Sequence, residues 1–184
     1  MRRLAVLILV LGLASVANAV TIQISAGGNP DPVSSEIYLT PSEEIILDIH
    51  CTSGYAGSAD DAYWGLVCQT ATGTITGGVV VIPPAPSLST VLGPSAVGAG
   101  LPLLPGYDGP FGGIAGAPGE TAPPGVYFND FIFHCEALGD CIVMLYIYDL
   151  TILALQDTLI IHQIPEPASM LLLGLGGLLI RRRK

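Results

Sequence analysis

The chain has 184 residues, 51% apolar and only 11% charged, with a formal net charge of −9. All six basic residues lie at the ends: Arg2 and Arg3 at one, and Arg181, Arg182, Arg183 and Lys184 at the other. Fourteen Asp and Glu lie between Val20 and Ile164. A body with no Lys or Arg cannot displace counterions from phosphate, which excludes nucleic-acid binding and disfavours capture of anionic lipid or acidic polysaccharide.

The first segment, "MRRLAVLILVLGLASVANA", is built as a signal helix over residues 1–19. Arg2 and Arg3 form a basic start, Leu4 to Leu13 an apolar run, and Ala17-Asn18-Ala19 a small-residue cleavage site. The mature chain is therefore expected to begin at Val20; the alternative is an uncleaved membrane anchor. Basic flanks tend to stay on the cytoplasmic side, so both ends are expected inside and the acidic body outside before processing.

Residues 20–163 read as one all-β domain. The runs "TIQIS", "SEIYLT", "EIILDIHC", "AYWGLVC", "GTITGGVVVI", "VYFNDFIFHC", "CIVMLYIYDL" and "DTLIIHQI" are rich in β-branched and aromatic residues and are separated by turn formers. In the third, Ile46, Asp48 and His50 share one face, and Ile45, Leu47, Ile49 and Cys51 the other. Short half-buried strands without a 3.6-residue stripe predict a two-sheet antiparallel β-sandwich. Residues 83–125 differ: ten prolines and ten glycines in 43 residues read as a long loop, with a short helix near Ser87 to Leu92. Loops of this length tend to be functional or disordered, so this one is a candidate binding surface, against the alternative of an inert excursion.

Four cysteines lie in the exported body. Cys135 and Cys141 bracket "EALGD" between two strands, which predicts a cross-hairpin bridge with Cys51–Cys68 as its companion. The alternative is four buried free thiols.

Chemistry-bearing residues are sparse. The steps His50-Cys51 and His134-Cys135 send neighbours to opposite strand faces, and zinc spacings are absent. Calcium suits the sequence better, with Asp60 and Asp61 in "GSADDAYW" as weak candidate ligands and Asn129-Asp130, Glu136, Asp140 and Asp108 as further hard oxygen donors. Solvated carboxylates are the simpler reading. No nucleophile elbow, zinc-protease helix or phosphate loop occurs, so no catalytic residue is assigned and no cofactor beyond calcium is expected. Tyr55 and Trp64 beside the acidic turn, with Tyr107 in the long loop, form a candidate sugar-stacking platform; a lone strand Trp is otherwise a core residue.

The chain ends "IPEPASMLLLGLGGLLIRRRK". A helix over residues 168–180 covers about 20 Å, short of a hydrocarbon core of about 30 Å. The basic stop at 181–184 holds its end inside. Pro165-Glu166-Pro167, Ala168-Ser169, the Leu/Gly run and the Arg-rich end resemble the PEP-CTERM protein-sorting signal, also known as the ice-binding protein C-terminal domain. The resemblance covers Ile164 to Lys184. It implies export by a bacterium with a Gram-negative-type envelope that makes exopolysaccharide. It also implies transient membrane insertion of the tail, and recognition of Pro165, Glu166 and Pro167 by an exosortase that removes it. The stretch "PGVYFNDFIFHCEALGDCIVMLYIYD", with Gly125 and Gly139 opening successive strands, resembles cohesin-type and related carbohydrate-binding or Ig-like sandwiches. Together these predict a non-catalytic surface or matrix protein in contact with exopolysaccharide or other matrix proteins. A carbohydrate-binding module is the alternative, and an envelope glycoside hydrolase comes after it.

Overall fold

The computed structural model describes residues 20–26, 36–40, 42–81, 89–148 and 153–165. The helices expected over 1–19 and 168–180 lie outside the described residues, as does the basic stop. Among the described residues the protein is almost entirely strand: β1 Ile22–Ala26, β2 Glu36–Leu39, β3 Glu44–Cys51, β4 Tyr55–Ala56, β5 Ala62–Gln69, β6 Gly73–Val80, β7 Thr90–Gly93, β8 Tyr107–Asp108, β9 Phe111–Ile114, β10 Thr121–Ala122, β11 Gly125–Cys135, β12 Gly139–Tyr148 and β13 Leu153–Gln163. One 3-10 turn, Gly57–Asp60, interrupts them.

A smaller sheet runs β1-β3-β11-β6 and a larger one β2-β13-β12-β5-β9-β7, with β8 also on β5; β10 and β4 form a separate pair. The pairing is antiparallel except between β13 and β2, which run parallel. Alternation explains the two layers. Leu47, Ile49, Phe128, Phe131 and Phe133 of the smaller sheet and Trp64, Leu66, Val143, Leu145 and Ile161 of the larger are buried in one shared core. Each such side chain stabilises the fold by about 1.5–3 kcal/mol. Trp64 sits at its centre, 4.8 Å from the Phe128 ring and 5.5 Å from that of Phe131. The glycine at 112 makes room for it: a Cβ there would collide with the indole and with the Thr90 carbonyl.

The Pro/Gly-rich stretch is not a plain loop. Residues 90–93 form a strand where a short helix was expected, and β8, β9 and β10 follow it. Between β7 and β8 the chain folds over the outer face of the larger sheet, where Ala96, Leu101 and Leu103 pack on Val67, Met144 and Tyr146. Asp108 fastens this cover, accepting from Ser95 Oγ at 2.8 Å and Val97 N at 3.1 Å. This part of the stretch thus serves as a third layer.

The edge of the smaller sheet at β1 is capped at one point. A register slip in β13 opposite Leu145 and Tyr146 turns Asp157 toward β1, and its Oδ2 accepts from Ile24 N at 2.9 Å. A side chain from the other sheet thereby takes up an N–H that an edge strand would otherwise expose.

The four cysteines are buried free thiols, which corrects the expected bridges. Cys51 pairs with Gly125 at one end of β11 and Cys135 with Gly73 at the other. Cys68 instead meets Cys141 across β5 and β12. The Cys68 thiol donates to Gly73 O at 3.3 Å, and the contact between the two sulfurs lowers Cys141 and pushes Cys68 up. Burial pushes Cys135 up to about 11.

Candidate functional site

The acidic turn proposed for calcium and sugar is internally satisfied. Asp60 Oδ2 accepts from Ala56 N at 2.6 Å, and Asp61 Oδ1 accepts from the Tyr55 hydroxyl at 2.7 Å and Gly116 N at 3.1 Å. Burial pushes the Asp60 carboxyl above the usual carboxylate range, while the Ala56 hydrogen bond lowers it and the charge of Asp61 raises it. The Tyr55 hydroxyl is pushed well up, first by burial and then by Asp61. Tyr55 and Trp64 are buried, so neither ring can stack on a sugar; Tyr107 is half-buried against the second core. The platform is corrected on that ground: the alternation that places Trp64 on β5 turns it inward. Asp108 is taken up by the loop cover, and Glu136 accepts from Thr74 Oγ1 at 3.0 Å.

Two other clusters, neither contiguous in sequence, occupy the outer faces. On the larger sheet, Tyr38 is 64% exposed and stacks on His162 with ring centroids 4.8 Å apart. His162 Nδ1 lies 2.9 Å from Asp140 and its Nε2 3.8 Å from Glu36. The parallel β2–β13 register sets Tyr38 beside His162, while β12 brings Asp140 opposite it. This exposed ring among carboxylates was missed in the sequence because its parts come from three strands.

On the smaller sheet, Ser25 lies directly opposite Asp48. On the other side of Asp48, β11 bulges: Phe128 pairs with Ile49 and Phe131 with Leu47, so Asn129 and Asp130 together face one residue. Asp130 takes a left-handed φ of 60°, and Gly77 at φ 79° approaches so closely that a Cβ would stand 2.8 Å from the Asp130 carbonyl oxygen. Asp48 is 5% exposed although it points away from the core. Burial pushes its carboxyl up; a backbone hydrogen bond from Asp130 lowers it, and the charge of Asp130 raises it again. Ser25 Oγ, Asn129 Oδ1 and His50 Nδ1 are buried without a hydrogen-bond partner among the described residues. No group of three His, Cys, Asp or Glu arranged to hold a metal occurs among those residues.

The last strand ends at Gln163, and Ile164 N donates to Leu39 O at 2.9 Å, so the described fold closes one residue before Pro165. Beyond that point the chain carries its address. Residues 163–184 match the PEP-CTERM protein-sorting motif. The motif thus begins where the sandwich finishes. No curated protein matches the sequence.

Among solved structures, the chain is similar to the sixth cohesin of scaffoldin B from Acetivibrio cellulolyticus, solved in complex with a Cel5 dockerin mutant; identity is 10%, coverage 79% of this chain and 99% of that one, and TM-score 0.43. The seventh ScaB type I cohesin from Pseudobacteroides cellulosolvens shares 9% identity over 79% of this chain and 94% of its own, with a TM-score of 0.47. The C-terminal domain of the Streptococcus agalactiae AgI/II polypeptide BspA shares 8% over 78% of this chain and 50% of its own, at 0.46. At these identities and scores the likeness carries no partner or activity over to this chain.

Proposed function

We propose that the protein is an exported, non-catalytic component of the cell surface or extracellular matrix of a bacterium with a Gram-negative-type envelope. Its tail is inserted transiently in the membrane, read at Pro165, Glu166 and Pro167, and removed by an exosortase. In this reading residues 1–19 are the export signal, cut after Ala19, residues 20–163 the working domain, and residues 164–184 the consumed address. The motif match over 163–184 carries the reading. The closure of the sandwich at Ile164 supports it, because a cut beyond that residue leaves the described strands and their hydrogen bonds intact. The intact mass of the protein recovered from its own cells tests it. A mass spanning Val20 to the neighbourhood of Pro165 is expected, with any excess reporting an attached group; a mass running through Lys184 would overturn the sorting account.

A second reading, binding of a neutral polysaccharide, is favoured by the exposed Tyr38 ring on His162 flanked by Asp140 and Glu36. An aromatic face beside hydrogen-bond acceptors is the chemistry that recognises a sugar ring and its hydroxyls. Co-sedimentation with the producing cells' polysaccharide tests it, with Tyr38→Ala expected to abolish retention. A glycoside hydrolase gains no support from Asp60 and Asp61, whose oxygens already serve the turn. A substrate panel left unconverted alike by the wild type and Asp60→Asn is the expected result.

A further inference from the structure

The Asp48 row holds an imbalance that the rest of the fold does not resolve. Asp48 is almost fully buried, its nearest charged neighbour is another carboxylate, Asp130, and no Lys or Arg exists anywhere between residues 20 and 164. Ser25, 0% exposed and directly opposite Asp48 on the neighbouring strand, has a hydroxyl oxygen with no partner among the described residues. Asn129, in the bulge on the other side, has an amide oxygen likewise without a partner among those residues. A proton shared by the two carboxylates would relieve their repulsion but leave the serine and asparagine oxygens without a partner. A cation takes all four.

We propose that Ser25, Asp48, Asn129 and Asp130 form a calcium site on the outer face of the smaller sheet. Two carboxylates and two neutral oxygens, with water completing the shell, are hard ligands of the kind calcium selects. His50, whose Nδ1 is buried on the same face, and Gln23 beside it flank the site and do not enter the set. The ion enters from the exposed Asp130 side. Two charges rather than three or four place the affinity at about 10⁻⁴–10⁻³ M, the range of extracellular calcium modules.

The test is thermal unfolding of the full chain at neutral pH, stripped with chelator and then titrated with calcium chloride. The melting temperature is expected to rise by about 5 °C at saturation. Asp48→Asn and the exposed Asp130→Asn should remove most of that rise, while Asp140→Asn on the opposite sheet should keep it. Should Asp48→Asn fail to fold, Asp130→Asn decides alone. A wild type indifferent to calcium overturns the site. An equal rise in the wild type and both row variants also overturns it, placing the ion elsewhere.

Discussion

The Asp60–Asp61 turn and the Asp48 row are both acidic and each contains a carboxyl that burial pushes upward, yet they relate to their surroundings in opposite ways. In the turn each carboxylate accepts from identified donors, the Ala56 and Gly116 amides and the Tyr55 hydroxyl. In the row Asp48 accepts only from the Asp130 backbone while the charge of Asp130 opposes its own, and two neutral oxygens have no partner among the described residues. The first pair is adjacent in sequence and draws donors from its own turn and from Gly116; the second is assembled across β3 and β11, with Ser25 of β1 beside it. A satisfied acidic pair holds a fold together, and one flanked by unpartnered oxygens has capacity for a ligand.

Substitutions can break this contrast. Asp61→Ala should cost about 3 kcal/mol, because a buried tyrosine hydroxyl and an amide lose a charged acceptor together. A loss below 1 kcal/mol in chemical denaturation would show that the turn does not depend on its carboxylates. Gly77→Ala should cost about 2 kcal/mol, since the residue is left-handed and its Cβ would press on the Asp130 carbonyl. It should also blunt the calcium response by moving the bulge.

Acidification sharpens the comparison further. Asp48 and Asp60 both have folded-state values raised above the ordinary one, so the folded protein binds protons that the unfolded chain does not. Their contribution to stability therefore grows as pH falls from 7 through the raised values and levels off near about 4. Calcium-free unfolding midpoints should rise from neutral pH toward pH about 5 on this account. In Asp48→Asn the rise should be smaller, with Asp60 alone left to drive it. The same variant should gain about 1 kcal/mol over the calcium-free wild type at neutral pH, by removing a buried like-charge contact. Tyr38→Ala, at an exposed position, should change stability by no more than about 0.5 kcal/mol, and any loss of polysaccharide retention is then a loss of contact rather than of fold.

The long strands were legible because their residues alternate and their ends carry turn formers. "EIILDIHC" became β3 with Leu47 and Ile49 inward, and "VYFNDFIFHC" became β11 with its phenylalanines in the core. The short strands were not. "FGGI" has too few side chains to show a period, and its strand character comes from lying against β5, where Gly112 is required by the neighbouring indole. Alternation put Asp48 on one face with Ile46 and His50, but neither its burial nor its position opposite Ser25 and beside Asp130 could be read before the register was known. The tail is the reverse case. A sorting signal is read as a linear string, so its whole content lies in the order of residues 163–184.

The bond from Ile24 to Asp157 has a consequence for assembly. A bare strand edge invites polymerisation through the same backbone ladder that builds a sheet. With Ile24 N taken by a carboxylate from the opposite sheet, a second copy adding to β1 would meet a ladder position already occupied. At that position recognition falls to side chains, where a partner can be told from a duplicate.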